Sequence, residues 1–205
     1  MKSLATVRRR PLARSFYARE TEQVARELLG CVLVSTVGSH RVEGRIVETE
    51  AYIGPHDPAS HAAKRIGRTR RNETMFAEPG TAYVYRIYGV HWCLNAVTVE
   101  KDFPAAVLIR ALEPLRGLDV MRARRWPSDG PGPDRLLASG PGKLAAALGI
   151  TGDLDGHDLR KSPLYIVPGE PVSDRDVQTG PRIGITRAMD WQLRFCLRNC
   201  PWVSR

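Results

Sequence analysis

Three side chains that could carry out hydrolytic chemistry lie two residues apart in the run 45–52. They are Glu48, Glu50 and Tyr52, and the residues around them are typical of a β-strand. Because successive side chains of a strand point to opposite faces, these three should share one face. A carboxylate there could deprotonate water, and the neighbouring ring could hold an extruded planar base by stacking. The alternative is an exposed strand edge that carries two solvated glutamates.

A second aromatic run follows at Tyr83, Tyr85 and Tyr88. Tyr83 and Tyr85 should share a face of a strand predicted over 81–88, and Tyr83 is expected in the core or in a pocket wall. Tyr88 breaks that alternation and precedes Gly89, so we expect it at the tip of a turn. An aromatic ring at such a tip, in a basic protein, could push between stacked bases.

A histidine and an aspartate near the glutamates leave a second kind of chemistry open. His61 follows a proline-rich loop, and a lone histidine is more often structural than catalytic. His56 and Asp57, together with Glu48 and Glu50, could instead bind a divalent metal ion, as in a metal-dependent nuclease. Their spacing matches no metal-binding motif, so we rank this class second and expect neither a metal nor another cofactor.

A strongly basic segment separates the two aromatic runs. It holds five cations within eight positions, namely Lys64, Arg65, Arg68, Arg70 and Arg71. Beside a candidate pocket such a cluster suits contacts with phosphate groups, although it could be only a solvated face. The run 140–143, Gly-Pro-Gly-Lys, offers free backbone N–H groups and the cation Lys143 to a phosphate. The same run is equally suited simply to begin a helix.

The amino-acid composition limits the binding partners and the cellular compartment that we expect for the protein. The chain has 205 residues, a net charge of +9 and an isoelectric point near 9.8, which favours nucleic acid over a membrane surface. No apolar run approaches the ~20 residues that cross a bilayer. The four cysteines show no CxxC pair, so we expect free thiols in a reducing, cytoplasmic compartment. Cys196 and Cys200 lack a second ligand pair, which disfavours a zinc site.

The elements that must position these residues are predicted to form an antiparallel meander. Strands are expected over 31–35, 41–52, 81–88, 91–99, 105–113, 164–167 and 182–185. Helices are expected after Thr21, over 59–64, after Pro114 and over 140–148. Residues 1–15 should form a basic, loose arm, and residues 16–205 a single domain. The segments 195–198 and 201–203 are apolar enough to dock on the core.

The assembled motifs resemble those of the alkyladenine (3-methyladenine) DNA glycosylase family. The resemblance covers roughly residues 12–204, and the number and order of the motifs make chance agreement implausible. The matching runs are Glu48-Thr49-Glu50-Ala51-Tyr52 with Gly54-Pro55, His61, Arg71-Asn72, Met75-Phe76, Pro79-Gly80-Thr81, Tyr83-Val84-Tyr85, Tyr88-Gly89, Asn95, Arg110-Ala111-Leu112-Glu113-Pro114, Ser139-Gly140-Pro141, Lys143-Leu144 and Pro201-Trp202-Val203-Ser204.

This resemblance implies an α+β fold, a single mixed domain around a curved antiparallel β-sheet with flanking helices. It implies base excision repair of DNA, in which an alkylated or otherwise damaged purine is flipped out and its N-glycosidic bond is hydrolysed, leaving an abasic site. By position, Glu50 is the water-activating base and Tyr88 intercalates into the vacated space. The resemblance places around the flipped base Tyr52, His61, Tyr85 and Asn95, with Arg110 supporting the site.

Expectations about the partner and the assembly complete the sequence-based interpretation. The partner is double-stranded DNA that contains damaged purines, with phosphate contacts from Arg68, Arg70, Arg71 and Lys143. The enzyme should be monofunctional, because none of the five lysines lies near Glu50 in the motif to form a Schiff base. We expect a monomer without membrane contact, associated with the nucleoid if the cell is bacterial. Beside the nuclease, a non-catalytic nucleic-acid-binding module on the same fold is the alternative.

Overall fold

The computed structural model describes residues 9–128, 130 and 132–204, which form one antiparallel sheet with short helices around it. The strands are β1 (Val32–Ser35), β2 (Val42–Tyr52), β3 (Ala82–Ile87), β4 (His91–Thr98), β5 (Ala105–Arg116), β6 (Arg160–Lys161), β7 (Leu164–Val167), β8 (Val177–Gly180) and β9 (Arg194–Leu197). The helices are α1 (Arg14–Tyr17), α2 (Thr21–Glu27), α3 (Leu118–Arg125) and α4 (Pro141–Leu148). None of these helices is long and apolar enough to cross a membrane. The architecture confirms the predicted α+β fold around a curved antiparallel sheet.

Strand β2 is the centre of the sheet. One of its edges pairs with β5, whereas the other edge pairs with β1 over residues 42–45 and with β9 over residues 48–50. The register with β5 shifts on both sides of Glu48. Such irregularities bend a strand and change the direction in which its side chains point. Glu48 and Glu50 therefore lie where three strands meet.

Alternating side chains along three adjacent strands give the sheet a core face and a cavity face. The core face packs against α2 and α4 through Ala82, Val84, Leu94, Ala96, Val107 and Ile109. On the opposite face Tyr83, Val97 and Ala106 form a smaller apolar cluster, against which Tyr85 packs. The two tyrosines thus share a face of β3, as the period of two predicts.

The first described residues are docked on the sheet. The Leu12 N–H donates to the Ile166 carbonyl oxygen at 2.8 Å, and the Leu12 side chain is buried in the core. Because this leucine buries apolar surface, it attaches its part of the chain to the body of the protein. Residues 1–8 of the predicted arm, and residues 129, 131 and 205 of the predicted domain, lie outside the described residues.

Strand β5 continues beyond the point at which the sequence predicts a helix. It passes through Pro114 and ends at Arg116, so the helix begins only at Leu118. Pro114 pairs with Gly44 beside a register shift, which is a place where a strand tolerates proline. Gly117 then ends the strand with φ +76°, and a Cβ atom there would come within 2.8 Å of a neighbouring carbonyl oxygen.

Two other predicted elements are absent from the structure. The predicted strand over 182–185 is a loop, and the predicted helix over 59–64 is a series of turns. The Arg182 side chain donates to Asp57, and the Ile183 N–H donates to Glu50, so this N–H is not available for a strand ladder. The strands in this part of the chain are β8 and β9, and Phe195 on β9 is buried in the core, as its apolar character predicts.

Candidate active site

Glu50 is a completely buried carboxylate on β2. Its Oε2 accepts a hydrogen bond from the Tyr52 hydroxyl at 3.0 Å, and its Oε1 accepts one from the Ile183 N–H at 2.7 Å. The Arg110 Nη1 lies 3.0 Å from the same Oε1. The carboxylate is therefore removed from bulk water but held by three donors, which rules out a solvated glutamate at a strand edge.

The pKa of Glu50 is higher than that of an ordinary glutamate, mainly because burial penalises the anion. The Arg110 guanidinium, the Ile183 N–H and the Tyr52 hydroxyl oppose this rise, and the nearby Glu48 charge adds to it. A carboxylate with a raised pKa is a stronger base once it is ionised. Glu50 is thus suited to accept a proton from water.

A cavity of about 230 Å³ opens beside Tyr52. Its aromatic wall also contains His61, Tyr83 and Tyr85. The ring centroids of His61 and Tyr85 lie 4.4 Å apart, and those of Tyr83 and Tyr85 lie 5.3 Å apart. Rings packed in this way form a rigid surface on which a planar base can stack. The residues predicted for the base pocket, Tyr52, His61, Tyr85 and Asn95, all line this one cavity.

His61 has a structural bond as well as a place in the cavity wall. Its Nδ1 and the Tyr83 hydroxyl are hydrogen-bonded at 2.9 Å. Burial, assisted by the nearby charge of Arg71, lowers the pKa of His61. The neutral imidazole is therefore favoured, and it can face a base without a full positive charge of its own.

Asn95 is buried on β4 in register with Tyr83. Its Nδ2 donates to the Tyr83 carbonyl oxygen at 3.0 Å, which fixes the plane of the amide. The side chain also lines the cavity. A backbone bond and a position in the pocket therefore occur together.

Glu48 is a second buried carboxylate, and four donors surround it. It accepts the Ser204 N–H at 2.7 Å, the Ser204 hydroxyl at 2.9 Å, the Arg194 Nε at 2.7 Å and the Arg110 Nε at 3.2 Å. The same Arg110 guanidinium reaches Glu50, so this arginine bridges the two glutamates. Both oxygens of Glu48 are engaged, which leaves no clear position for a metal ion.

Asp57, the third carboxylate of the nuclease alternative, is also occupied. The Arg182 Nη2 donates to its Oδ1 at 2.8 Å, and both side chains are fully buried. The backbone N–H groups of Ile53 and Ala59 donate to the same carboxylate. Among the described residues, no group of three or more His, Cys, Asp or Glu side chains could hold a metal ion. The ion pairs of Glu48 and Asp57 thus remove the basis of the nuclease alternative.

The loop over 182–187 completes the site. The sequence analysis predicted a strand there and did not connect this segment with the site. Arg182 donates to the Ala51 carbonyl oxygen at 3.0 Å, and its guanidinium carbon lies 4.7 Å from the centroid of the Tyr52 ring. The next residue supplies the backbone donor to Glu50, and residues 184–187 line the cavity. A glycine inside the predicted strand, Gly184, was the one signal in the sequence against a regular strand.

Tyr88 lies at the tip of the hairpin formed by β3 and β4. Its side chain is 83% exposed, and its φ of +53° together with the +71° of Gly89 makes the tight turn that the sequence predicts. Ile87, immediately before it, lines the cavity. A Cβ atom on Gly142 would lie 2.9 Å from the His91 Cβ, so the start of α4 packs against the same hairpin next to its turn. The exposed tyrosine is therefore the direct chain neighbour of a residue in the cavity wall.

The predicted phosphate contacts divide into engaged and free cations. Arg68 donates to Glu73 at 3.0 and 2.6 Å and to Asp102 at 3.0 Å, so two carboxylates already neutralise it. Arg71, by contrast, lines the cavity, is exposed and has no ion pair within the described part of the chain. Arg70 and Lys143 do not line the cavity.

Two further arginines, Arg65 and Arg187, line the cavity beside Arg71. Both are exposed, and neither takes part in an ion pair with another described residue. The sequence placed Arg65 in the basic cluster without singling it out, and it gave no reason to consider Arg187, which lies far along the chain in the misplaced loop.

The chain is similar to known proteins along almost its whole length. The sequence model of the family described as methylpurine-DNA glycosylase (MPG) matches residues 15–201. A relative from Carboxydothermus hydrogenoformans is 48% identical over 195 residues, which cover 95% of this chain and 98% of the relative. One from Methanoculleus marisnigri is 50% identical over 202 residues, with 95% and 98% covered, and one from Nitrosospira multiformis is 49% identical over 190 residues, with 92% and 91% covered. All three carry the name "Putative 3-methyladenine DNA glycosylase".

Proposed function

Because the chain belongs to the methylpurine-DNA glycosylase family, and is therefore a DNA repair glycosylase for alkylated purines, we propose that Glu50 activates the water that releases the damaged base. The observation that carries this proposal is a buried carboxylate of raised pKa, hydrogen-bonded to a tyrosine of the cavity wall. No other glutamate or aspartate lines or adjoins the cavity in this way among the described residues.

The chemical step is a hydrolysis in which Glu50 takes up a proton and the departing base takes up an electron pair. Glu50 accepts a proton from water as the water oxygen attacks the anomeric carbon of the sugar. The N-glycosidic bond breaks, and its electron pair leaves with the base. An alkylated purine that carries a positive charge leaves as a neutral molecule, so the departing base needs no added proton. The anionic carboxylate also stabilises the positive charge that develops on the sugar.

The cavity holds the extruded base through its aromatic wall. Tyr52, His61 and Tyr85 offer stacking surfaces, and electron-rich rings attract a cationic base. Asn95 provides a fixed amide in the wall, which can oppose the exocyclic amino group of guanine sterically and leave it without a good partner. This arrangement would favour damaged purines over the normal guanine that vastly outnumbers them.

The surface around the cavity supports binding to double-stranded DNA. Tyr88 occupies the space that the flipped base leaves in the duplex, as a wedge on the hairpin tip. Free cations at the cavity mouth, Arg65, Arg71 and Arg187, bind the phosphates next to the flipped nucleotide, while Arg70 and Lys143 contact the backbone further away. We assign no phosphate contact to Arg68, since Glu73 and Asp102 already pair with it.

The proposed enzyme is a monofunctional monomer that works on chromosomal DNA, in a bacterial cell at the nucleoid. The residues that line the cavity within the described chain include no lysine, which agrees with direct hydrolysis and not with a Schiff-base intermediate.

Replacing Glu50 tests the proposal. Glu50→Gln should slow single-turnover release of an alkylated purine by ~10² to 10⁴, because the general base is lost. Binding to lesion-containing duplex DNA should stay within a few-fold, since cations and stacking supply the affinity. The assay contains EDTA, so that activity in the wild type also speaks against a metal-dependent nuclease.

A matched control is Glu113→Gln, which removes a glutamate that is paired with Arg45 and does not line the cavity. It should release base at the wild-type rate. Equal rates for Glu50→Gln and wild type would refute the assignment of the base, and an inactive wild type that still binds lesion DNA would indicate a binding module.

A further inference from the structure

The mechanism above leaves Glu48 without a role, although burying an ionised carboxylate is costly. Glu48 is completely buried, and its four donors come from three separate elements of the chain. Arg110 lies on β5, Arg194 on β9, and Ser204 beyond β9 in the run Pro201-Trp202-Val203-Ser204. That run matched the family motifs in the sequence, but neither base activation nor base binding uses it.

Arg110 connects this buried network to the proposed base. Its Nε donates to Glu48 at 3.2 Å, its Nη2 donates to the Ser204 hydroxyl at 3.4 Å, and its Nη1 lies 3.0 Å from Glu50. A guanidinium is planar and rigid, so contacts along two edges fix the direction of the third. The position of Glu48 and Ser204 thus determines where Arg110 presents its positive charge to Glu50.

We propose that Glu48 and Ser204 are positioning residues that fix Arg110 and, through it, the carboxylate of Glu50. The inference rests on the proposed role of Glu50 as the base, and it assigns a part in catalysis to the segment 201–204. Ser204 is the central element, because its backbone N–H holds one oxygen of Glu48 while its hydroxyl donates to the other and accepts from Arg110.

A purely structural role makes a different prediction. If the network only stabilises the fold, loss of the Ser204 hydroxyl lowers the melting temperature and leaves the rate of the folded enzyme unchanged. If the network positions Arg110, the same loss slows base release while the affinity for lesion DNA is retained, because neither Glu48 nor Ser204 lines the cavity.

The first measurement compares Ser204→Ala with wild type in single-turnover release of an alkylated purine and in binding to the same duplex. We expect release to slow roughly tenfold, as for the loss of one hydrogen bond to a charged group, and binding to change less than twofold. Ser204→Thr keeps the hydroxyl and should restore most of the rate. The matched control is Ser35→Ala, which removes a buried serine hydroxyl that donates to the Leu148 carbonyl oxygen at 2.7 Å, away from the cavity. This control should lower stability only.

The second measurement is a double-mutant cycle with Arg110→Lys, which keeps a cation but cannot make the same set of contacts. If Ser204 acts through Arg110, Ser204→Ala should slow release less than twofold in the Arg110→Lys background. A full tenfold effect in that background, or an unchanged rate for Ser204→Ala alone, would overturn the proposal. Should Ser204→Ala fail to fold, Arg194→Gln removes another donor to Glu48 from a partly exposed side chain, and the same cycle applies to it.

The double-mutant cycle can fail independently of the Glu50→Gln test of the proposed general base. A wild-type rate for Glu50→Gln would show that the base is elsewhere, whereas coupling between Ser204 and Arg110 would still be measured. Coupling that is absent while Glu50→Gln is inactive would leave the base in place and refute only the positioning role.

Discussion

Two opposed effects act on the pKa of the Glu50 carboxyl group, which is buried among oriented donors. Removal from water raises its pKa, while Arg110, the Ile183 N–H and the Tyr52 hydroxyl stabilise the anion. The rise prevails, so the group holds its proton to a higher pH than a solvent-exposed glutamate would. In the proposed mechanism only the ionised form of Glu50 can accept a proton from water, so this balance should set the acidic limit of activity.

The consequence at the residue scale is a shifted pH dependence. As the pH falls from neutral, single-turnover release of a permanently cationic alkylated purine should decline around a pH above the ordinary glutamate range, because Glu50 becomes protonated. The charged or polar groups that face this carboxylate are Arg110 on β5, Glu48 and Tyr52 on its own strand, and the Ile183 N–H on the loop. The measurement is a pH–rate profile.

His61 also lies in the cavity wall, and burial lowers its pKa. His61→Gln therefore serves as the control for the pH profile and should retain the acidic decline. A decline that stays at the position of a free glutamate in the wild type, or one that vanishes in His61→Gln, would contradict the assignment to Glu50.

At the scale of elements, the loop over 182–187 depends on one buried ion pair. Arg182 and Asp57 are both fully buried, and the arginine also bonds the Ala51 carbonyl oxygen. Asp57→Asn leaves a buried guanidinium without its counter-charge, which should lower the free energy of unfolding by about 3–5 kcal/mol. Release of base should slow as well, because the loop supplies the Ile183 N–H to Glu50.

Chemical denaturation and single-turnover assays check this prediction. The matched control is Asp134→Asn, which breaks the solvent-accessible pair of Arg122 and Asp134 and should lower the free energy of unfolding much less, because water screens that pair. Similar losses for the two variants would mean that the buried pair does not hold the loop.

The same element shows where prediction from the sequence succeeds and where it fails. Alternation along the chain placed Tyr83 and Tyr85 on one face, because the period of a strand is a local property. The pairing of Asp57 with Arg182 joins residues that are 125 positions apart, and no local pattern indicates it. The helix predicted to begin at Pro114 was wrong for a related reason. Whether proline fits in the strand depends on the register shift beside Gly44, a residue far away in the sequence.

At the scale of the whole molecule, the exposed hairpin tip and the cavity adjoin each other, and in the proposed function both face the duplex. Ile87 lines the cavity, and Tyr88 is the next residue. Tyr88→Ala should weaken extrusion of the base more than the chemical step, because flipping costs a few kcal/mol of unstacking that a wedge partly offsets. The loss should be larger for a lesion in a paired, well-stacked context than for one opposite a mismatch.

Single-turnover rates on the two duplexes decide this point. Val90→Ala is a suitable control, since Val90 lies on the same tip with 66% of its surface exposed but offers no ring to fill the gap. An equal loss on paired and mismatched lesions would make Tyr88 a structural residue of the turn.

The position of β2 determines when, during synthesis of the chain, the site around Glu50 can form. Glu50 is made early in synthesis, yet the groups that hold it and its neighbour Glu48 include the Ile183 N–H, Arg194 and Ser204. Such contacts between distant parts of the chain form late in folding. A ribosome that has translated the chain only as far as residue 180 has therefore produced Glu50 and most of the cavity wall, but not the groups that hold Glu50 and Glu48 in place. We therefore expect activity only after residues 183–204 have left the ribosome and packed against β2.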